Sequence, residues 1–595
     1  MKKKEGKKKE GTLKRLLRYI GQNRRNLILA IVCAGCSTVV MLTEPIARGK
    51  VVDMITEGIK SEGAMDLKAI GLMCLLTLGL EILLFYTDQK EQKLLTVVST
   101  GVTRKFRKEL FEKLDRLPMG FFFNRNAGDI LSNITNDTNV IGQNLTNGIF
   151  YLGGGIITMV AALVVMLFYS PILTLISIVA TLAGSALVLV VGKLSGKFYL
   201  AQAQSTGLLD GYIDENFSNH NVVTAYNHEE SSRREFDQIN TGLGRTDFKA
   251  QSASGLGAPL STLASYFSTL LIYLVGAYMA MEGTITFGEL ITFVSFNSVL
   301  ATPINRMASS IQGTSNMSAA LKRIFALLDE EELPDESAKE KVETEITGDV
   351  VFDHVRFGYD PSTPVIKDFS EHVRKGQKIA IVGPTGAGKT TIINLLMRFY
   401  EIDGGRICVD GVDVATIRRE HLREKFSMVL QDPWVFEGSL WDNLTFGTPD
   451  ASKEKVERAV RAVGFDYYIH VLPEGYETML DNRLALSQGQ KQQISIARAM
   501  IADRPMVILD EATSSIDTRT EQKIQQAMDQ LMEGRTSFVI AHRLSTIKNA
   551  DTILVLKDGD VIESGNHEEL LAKNGFYSEL YYSQFYSPKA AASVS

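Results

Sequence analysis

Residues Lys378 to Tyr400 read KIAIVGPTGAGKTTIINLLMRFY: a short apolar strand, a glycine-rich loop and a helix in immediate succession. Gly383, Pro384, Thr385, Gly386, Ala387, Gly388, Lys389 and Thr390 fill the spacing G-x-x-x-x-G-K-[ST], with Thr391 next on the helix. The glycines let backbone N–H groups wrap phosphates, and the opening helix turn favours their negative charge. Lys389 then reaches the β- and γ-phosphates, and Thr390 offers its hydroxyl to magnesium. The loop therefore predicts a nucleotide with β- and γ-phosphates, bound with Mg2+.

The flanking segments agree. From about Gly348, VVFDHVRFGY, KIAIVG, RICVDG, FSMVLQ, MVILDEA, TSFVIAH and DTILVLKDGDVIESG read as strands between helices, several of them apolar throughout as buried parallel strands are. In MVILDEATSSID, Asp510 ends a buried strand, where a carboxylate can hold the magnesium shell. The adjacent Glu511 points elsewhere and can orient an attacking water as general base.

The other half of the chain is built for lipid. The whole has 595 residues, a net charge of −6 and 45% hydrophobic residues, an average that hides a 55-residue run without charge at 138–192. Six stretches suit membrane spans: 26–43, 69–87 with only Glu81, two within the uncharged run turning at Tyr169-Ser170-Pro171, 250–281, and 290–305. The links after the second and fourth spans are long, helical in pattern and rich in Lys and Arg, which predicts that they and both termini lie in the cytosol. The basic start, MKKKEGKKKEGTLKRLLRYIGQNRRN, has no apolar core of a signal peptide; Leu13, Leu16, Leu17 and Ile20 carry a spacing suited to a membrane surface. Glu44 reads as interfacial. Glu81 is a candidate for an inner aqueous cavity, where it would attract a cationic substrate. Cys33, Cys36, Cys74 and Cys408 are too few for a disulfide framework, and Cys33 and Cys36, a lone C-x-x-C inside an apolar run, read as small packing residues rather than a redox or metal site. An acidic balance, with pI near 5.9, argues against nucleic acid as a partner.

Leu486-Ser487-Gln488-Gly489-Gln490, about 20 residues before Asp510 and followed by KQQISIARAM, resembles the signature of ABC ATPases. With the six preceding spans, the chain resembles a half-transporter of the multidrug-resistance type of ABC exporters over nearly its whole length. That resemblance implies a multidomain fold, an all-α six-helix transmembrane domain followed by an α/β P-loop ATPase domain. The boundaries are a basic segment 1–25, a membrane domain 26–318, a linker 319–347, an ATPase domain 348–583 and a tail 584–595. It also implies roles. Tyr359 resembles the aromatic that stacks on adenine, Gln431 the glutamine that touches magnesium and senses the membrane domain, Asp517 the residue that communicates across a dimer, and His542 the histidine at the γ-phosphate. Ser487, Gln488, Gly489 and Gln490 would cap ATP held by the Gly383–Thr390 loop of a second half-transporter, in a homodimer or heterodimer. FFFNRNAGDILSNITND and the region of ENFSNHNVVTAYNHEE resemble cytoplasmic coupling turns.

Two departures stand out. Gln488 occupies a position where glycine is commonest, a substitution the family accepts. DNRLA, from Asp481, stands where exporters carry a Glu-x-Gly-like element, which puts coupling rather than ATP binding in question. The expectation is an ATP-driven exporter of amphipathic, drug-like or lipid-like substrates, an integral protein of the bacterial plasma membrane in contact with its lipids. A lipid flippase of the same fold would carry the same ATPase half. A non-transport ATP-gated or regulatory ABC protein would more often lack the general base, so Glu511 argues for transport, and about 25 residues before the first span leave no room for a fused peptidase.

Overall fold

The structure, a computed structural model, describes residues 11–60, 66–123, 125–146, 151–339, 346–360, 362–481, 486–510, 518–540 and 547–585. The chain forms two compact units, Met1–Arg116 with Arg125–Glu331, and Leu117–Asn124 with Glu332–Ser595. The second unit thus includes an eight-residue piece from the middle of the first half.

The first unit is helical. Its elements are α1 (Thr12–Ile20), α2 (Arg24–Lys60), α3 (Leu67–Leu114), then, past α4 (Met119–Phe123) of the other unit, α5 (Ala127–Ser132), a π-helical turn (Asn133–Asp137) and α6 (Thr138–Asn144). There follow α7 (Tyr151–Tyr169), α8 (Pro171–Ser218), α9 (His220–Ala225), α10 (Glu229–Gly255), α11 (Gly257–Met281) and α12 (Phe287–Leu328). Among the described residues three helical stretches, Thr12–Lys60, Leu67–Leu114 and Thr262–Met281, are long and apolar enough to cross a bilayer, and Gly153–Tyr169, Pro171–Gly184 and Phe287–Leu300 are shorter apolar ones. All six fall where the charge pattern put spans. At 48 residues each, α3 and α8 run about 72 Å, more than twice the roughly 30 Å of hydrocarbon. Their remaining lengths form the long helical links. The tight turn between α7 and α8 is capped by Ser170, whose hydroxyl accepts from the Leu173 N–H, with Pro171 in the first turn, where its missing donor costs nothing.

Apolar packing and a few polar clasps hold this unit. Met166, Leu173, Ile272, Leu290, Phe293 and Phe296 form a core where α7, α8, α11 and α12 meet. Beside it the buried Asn297 accepts from Ser177 (2.5 Å) and Ser268 (3.1 Å) and donates to Thr269, tying α12 to α8 and α11. α2 and α12 cross at two glycines: a Cβ on Gly288 would lie 2.0 Å from the Gly49 carbonyl oxygen. The closeness lets Asp53 of α2 accept from the Gly288 N–H (2.7 Å) and the Thr286 hydroxyl (2.8 Å), an anion at the start of a 42-residue helix. Glu81 is not a lone carboxylate, since Arg48 donates to it at 2.7 Å and pairs with Glu44 as well. A cation would have to compete with that guanidinium. At the other end of the unit the buried Asp137 takes both Nε (2.8 Å) and Nη2 (2.5 Å) of Arg323 from α12.

The second unit has a six-stranded sheet in the order β12-β11-β3-β10-β9-β6, parallel except for β12, and a four-stranded antiparallel sheet in the order β2-β1-β4-β5. The strands are β1 (Val350–Phe357), β2 (Ile366–Val373), β3 (Lys378–Val382), β4 (Gly404–Val409), β5 (Val412–Asp413), β6 (Phe426–Val429), β7 (Gly438–Ser439), β8 (Met479–Leu480), β9 (Met506–Asp510), β10 (Thr536–Ile540), β11 (Thr552–Lys557) and β12 (Asp560–Gly565). The continuous apolar runs of the parallel strands follow from burial on both faces. In β3, Ala380 and Val382 enter one core while Ile379 and Ile381 enter the other; β9 divides Val507 and Leu509 from Met506 and Ile508 in the same way. The principal helices are α13 (Lys389–Leu396), α14 (Arg419–Arg423), α15 (Leu440–Leu444), α16 (Lys453–Ala462), α17 (Asp466–Val471), α18 (Gln488–Ala502) and α19 (Thr518–Met532).

Candidate nucleotide site

The loop between β3 and α13 takes the shape its glycines permit. Gly383, Gly386 and Gly388 have φ of 154°, 85° and 99°, conformations that side chains with a Cβ rarely adopt. Space is restrictive as well, because a Cβ on Gly383 would meet the Leu556 carbonyl oxygen at 2.3 Å and one on Gly388 the Ile366 side chain at 2.8 Å. Lys389 opens α13 and folds back, its Nζ donating to the carbonyls of Gly383 (2.8 Å) and Pro384 (3.0 Å). Burial pushes its ammonium down from the usual lysine value, and the Asp510 carboxylate opposes that shift. A phosphate at the loop would restore the charged form. Thr390 and Thr391 follow on the first turn of α13.

Parallel pairing brings the next residues to the same edge. β10 lies between β3 and β9, with Ile540 opposite Asp510 and Ile381, and β6 pairs β9 with Val429 opposite Leu509. Asp510, the end of β9, and the exposed Gln431, two residues past the end of β6, thus lie at the carboxyl ends of the strands, as does the loop after β3. The Thr390 hydroxyl and the Asp510 carboxylate are hard oxygen donors of the kind Mg2+ takes together with phosphates and water. Glu511, Asp517 and His542 lie outside the described residues, as do Asn482 to Ala485 of the DNRLA segment.

Tyr359 stands beside α13, its hydroxyl 3.2 Å from that of Thr391, and its ring is half-exposed. It meets the rings of Phe357 (5.0 Å) and Tyr400 (5.1 Å) edge-on. Tyr400 also stacks with Phe123 of α4 at 6.4 Å, and a Cβ on Gly120 would come within 3.1 Å of its ring. The piece of the first half that belongs to this unit therefore reaches the site through one tyrosine. Sequence reading did not single out Tyr400; an aromatic at the end of the loop helix, MRFY, is a weak signal.

The signature segment is a helix start. Ser487 caps α18, accepting from Gln490 N–H (3.2 Å), while Gln490 Oε1 accepts from Ser487 N–H (2.8 Å). This reciprocal box leaves the first N–H groups of α18, Gln488 and Gly489 among them, without helix partners of their own. Among the described residues no hydrogen bond joins this segment to the loop at 383–390. Further along α18, Arg498 donates to the carbonyls of Asn443 and Trp434 and to Asn443 Oδ1 (2.8 Å). Burial lowers its pKa to about 10. Arg498 thus ties the chain just after Gln431 to the signature helix, a role that the motif ISIARAM alone did not reveal.

A second polar network fastens the chain just past Glu332, ahead of β1, to the residues that follow the loop helix. Glu336, largely buried, takes Arg398 and Arg419 at 2.7 Å each and the Arg419 N–H at 2.8 Å; Arg398 donates on to the carbonyls of Val414 and Ile417. Desolvation alone would raise the Glu336 carboxyl, but Lys339, the Arg419 N–H and the two guanidiniums outweigh it and hold it below the ordinary value.

Known proteins bear out this architecture. The ABC transporter transmembrane region matches residues 27–304 and the ABC transporter family 366–514. An uncharacterized ABC transporter ATP-binding protein of Bacillus subtilis (strain 168), YfiC, is 38% identical over 592 residues, 98% of this chain and 97% of that one. A fatty acid ABC transporter ATP-binding/permease protein of Mycobacterium tuberculosis (strain CDC 1551 / Oshkosh) is 40% identical over 82% of this chain and 76% of its own. The solved structure of a bacterial Atm1-family ABC exporter with ATP bound superposes with a TM-score of 0.77 at 28% identity, covering 95% of this chain and 99% of that one. A helical membrane unit joined to a nucleotide-binding sheet domain, at this length and similarity, identifies the chain as a member of the ABC transporter family, an exporter half-transporter whose ATP hydrolysis drives transport.

Proposed function

We propose that two half-transporters, identical or of different sequence, pair head to tail, each holding ATP and Mg2+ on its own 383–391 loop under the Ser487–Gln490 segment of the other. Thr390, Gln431 and Asp510 would hold the magnesium, which supplies charge neutralisation at the phosphates. Glu511 orients the attacking water and takes its proton, His542 contacts the γ-phosphate, Tyr359 stacks on adenine, and Asp517 faces the partner. The observation that carries the reading is the parallel register that gathers the loop after β3, Gln431 and Asp510 at one sheet edge. The self-capped start of α18, with N–H donors left over, supports its role toward a second copy. Tyr400, touching both Phe123 and Tyr359, supports a coupling route from the α4 segment to the base of the nucleotide.

The substrate in this reading is amphipathic and leaves the cytosol or inner leaflet, with both termini and the ATPase unit on the cytosolic side of a bacterial plasma membrane. A groove of about 990 Å³ between α8 and α11, lined by residues such as Leu175, Val179, Leu263, Phe267 and Leu271 and by no charged side chain, suits an acyl or other apolar tail. The fatty acid transporter among the relatives supports the lipid-like end of the class. ATP turnover by the purified chain in nanodiscs tests the reading, with fatty acids and cationic amphiphiles as effectors. Magnesium-dependent turnover should fall by about 10²–10⁴-fold in Glu511→Gln, which keeps ATP binding, whereas Lys389→Ala should lose binding. Turnover that survives Glu511→Gln would overturn the assignment of the base, and a folded chain inert alone would overturn the homodimer.

A further inference from the structure

The segment just past the loop helix, Arg398 to Asp403 (RFYEID), forms the seat of Tyr359. Tyr400 meets the Tyr359 ring edge-on at 5.1 Å, and the Asp403 carboxylate accepts from the neighbouring Gly358 N–H at 2.9 Å. Phe357 holds the ring edge-on from a second side at 5.0 Å, and the Tyr359 hydroxyl lies 3.2 Å from that of Thr391. The ring is thus fixed at its edges and its tip, yet it is 52% exposed, which leaves a face for a base.

That seat begins at a strained joint. Arg398 has a φ of 52°, a left-handed conformation that a residue other than glycine keeps where its surroundings impose it. The side chain shows what imposes it: buried, Arg398 donates to Glu336, to both oxygens of Glu401 and to the carbonyls of Val414 and Ile417. Glu336 comes from the chain ahead of β1 and also accepts from the side chain and the N–H of Arg419. From the same helix, α14, Arg423 donates to the carbonyls of Met397 (3.1 Å) and Arg398 (3.0 Å), its guanidinium 4.9 Å over the Phe399 ring. The buried guanidiniums of Arg398 and Arg419 therefore share Glu336 with the half-exposed Glu401. Removing the charge of Glu336 leaves them underpaired, a penalty that the strained joint can relieve by turning, and Tyr400 lies two residues beyond it.

We propose that Glu336 is a positioning residue for nucleotide binding: by holding Arg398 it fixes Tyr400, and with it Tyr359, and so sets the affinity for the base while the phosphates are left to the 383–391 loop. This rests on the reading above that Tyr359 stacks on adenine. In the full chain in nanodiscs, Glu336→Gln should raise the KM for ATP about fivefold, the low end of what one base–aromatic stack supplies, with kcat kept to within about twofold. Tripolyphosphate, which offers phosphates without a base, should inhibit the unmodified chain and the variant with the same Ki. Tyr400→Leu, which leaves every ion pair in place, should raise the KM likewise, and in a Tyr359→Ala background Glu336→Gln should add nothing. Glu336→Asp keeps the charge and should show a smaller rise; it carries the test should Glu336→Gln not fold. A Ki for tripolyphosphate that rises in step with the KM would overturn the proposal, because the loss would then lie in the phosphate loop. So would an unchanged KM in Glu336→Gln beside a raised one in Tyr359→Ala. A KM that Tyr359→Ala leaves unchanged would sink the stacking reading itself, and the proposal with it.

Discussion

Replacing Arg323 by alanine would strand a buried carboxylate. Asp137 is 5% exposed and both its oxygens accept from the guanidinium, whereas the Arg323 side chain is 56% exposed. Breaking a fully buried ion pair from one side costs about 3–5 kcal/mol, chiefly the penalty on the charge left behind. Because the arginine end reaches water and is screened, we scale this to about 2–3 kcal/mol for Arg323→Ala. The reverse truncation, Asp137→Ala, frees a guanidinium that can hydrate and should cost only about 1 kcal/mol. Removing both should cost little more than Asp137→Ala alone, giving a coupling energy of about 2 kcal/mol. For a unit of this size each kcal/mol moves the midpoint by roughly 2–4 °C. Thermal unfolding of the solubilised full chain, at one heating rate for all variants, should rank Arg323→Ala lowest and leave the double variant near Asp137→Ala. Equal losses in the two single variants, or losses that simply add, would refute the claim that the penalty lies on the buried carboxylate.

Two further predictions concern other clasps. Asp410 follows β4 in a left-handed conformation before Gly411, and its carboxylate accepts from Thr347 N–H (2.7 Å), Thr347 hydroxyl (2.8 Å), Gly348 N–H (3.0 Å) and Asp349 N–H (3.2 Å). Desolvation would raise its pKa, but these donors lower it. A depressed carboxyl contributes stability that is complete above the unfolded value near pH 4 and is lost as pH falls through the folded one. Asp410→Asn should therefore cost about 1–3 kcal/mol at pH 7, with the difference closing below about pH 4 in melts taken across pH. Gly288→Ala, whose Cβ would lie 2.0 Å from the Gly49 carbonyl and 2.4 Å from Asp53, should cost about 2 kcal/mol or more in the same melts. Gly154→Ala, with open space at its Cβ, should cost nothing.

What sequence carried was the local and the periodic. The phosphate loop, the apolar strands and the apolar spans each declare themselves within about twenty residues, because burial on both faces or in lipid leaves a continuous hydrophobic run. β2, IKDFSEHV, escaped because an antiparallel strand with one wet face and four charged or imidazole side chains has no such run. The split of the α1 stripe, with Leu16 and Ile20 buried but Leu13 and Leu17 exposed, escaped for a different reason. Helical spacing puts Leu13, Leu16, Leu17 and Ile20 on one side, but cannot tell which of them meets protein and which meets something else. Pairs such as Asp137 with Arg323, 186 residues apart, and Glu336 with Arg398 and Arg419 leave no local mark at all. For the nucleotide site, Lys389, Gln431 and Asp510 were legible as motifs, whereas Tyr400 and Arg498, which join those motifs to one another, become visible only from contacts.

The Glu336 network also sets the reach of the chain. Glu330, just past α12, is gripped by Arg125 and by Lys113, which donates to its carbonyl at 2.5 Å. Glu336 is gripped by Arg398 and Arg419. Five residues remain between the two anchors, a tether of at most about 21 Å from Glu330 to Glu336 when fully drawn out. So short a leash keeps the rest of the ATPase unit at a local concentration of order millimolar around that unit's own α4 segment. Lengthening it with glycine and serine would dilute that concentration without touching a single residue of either unit.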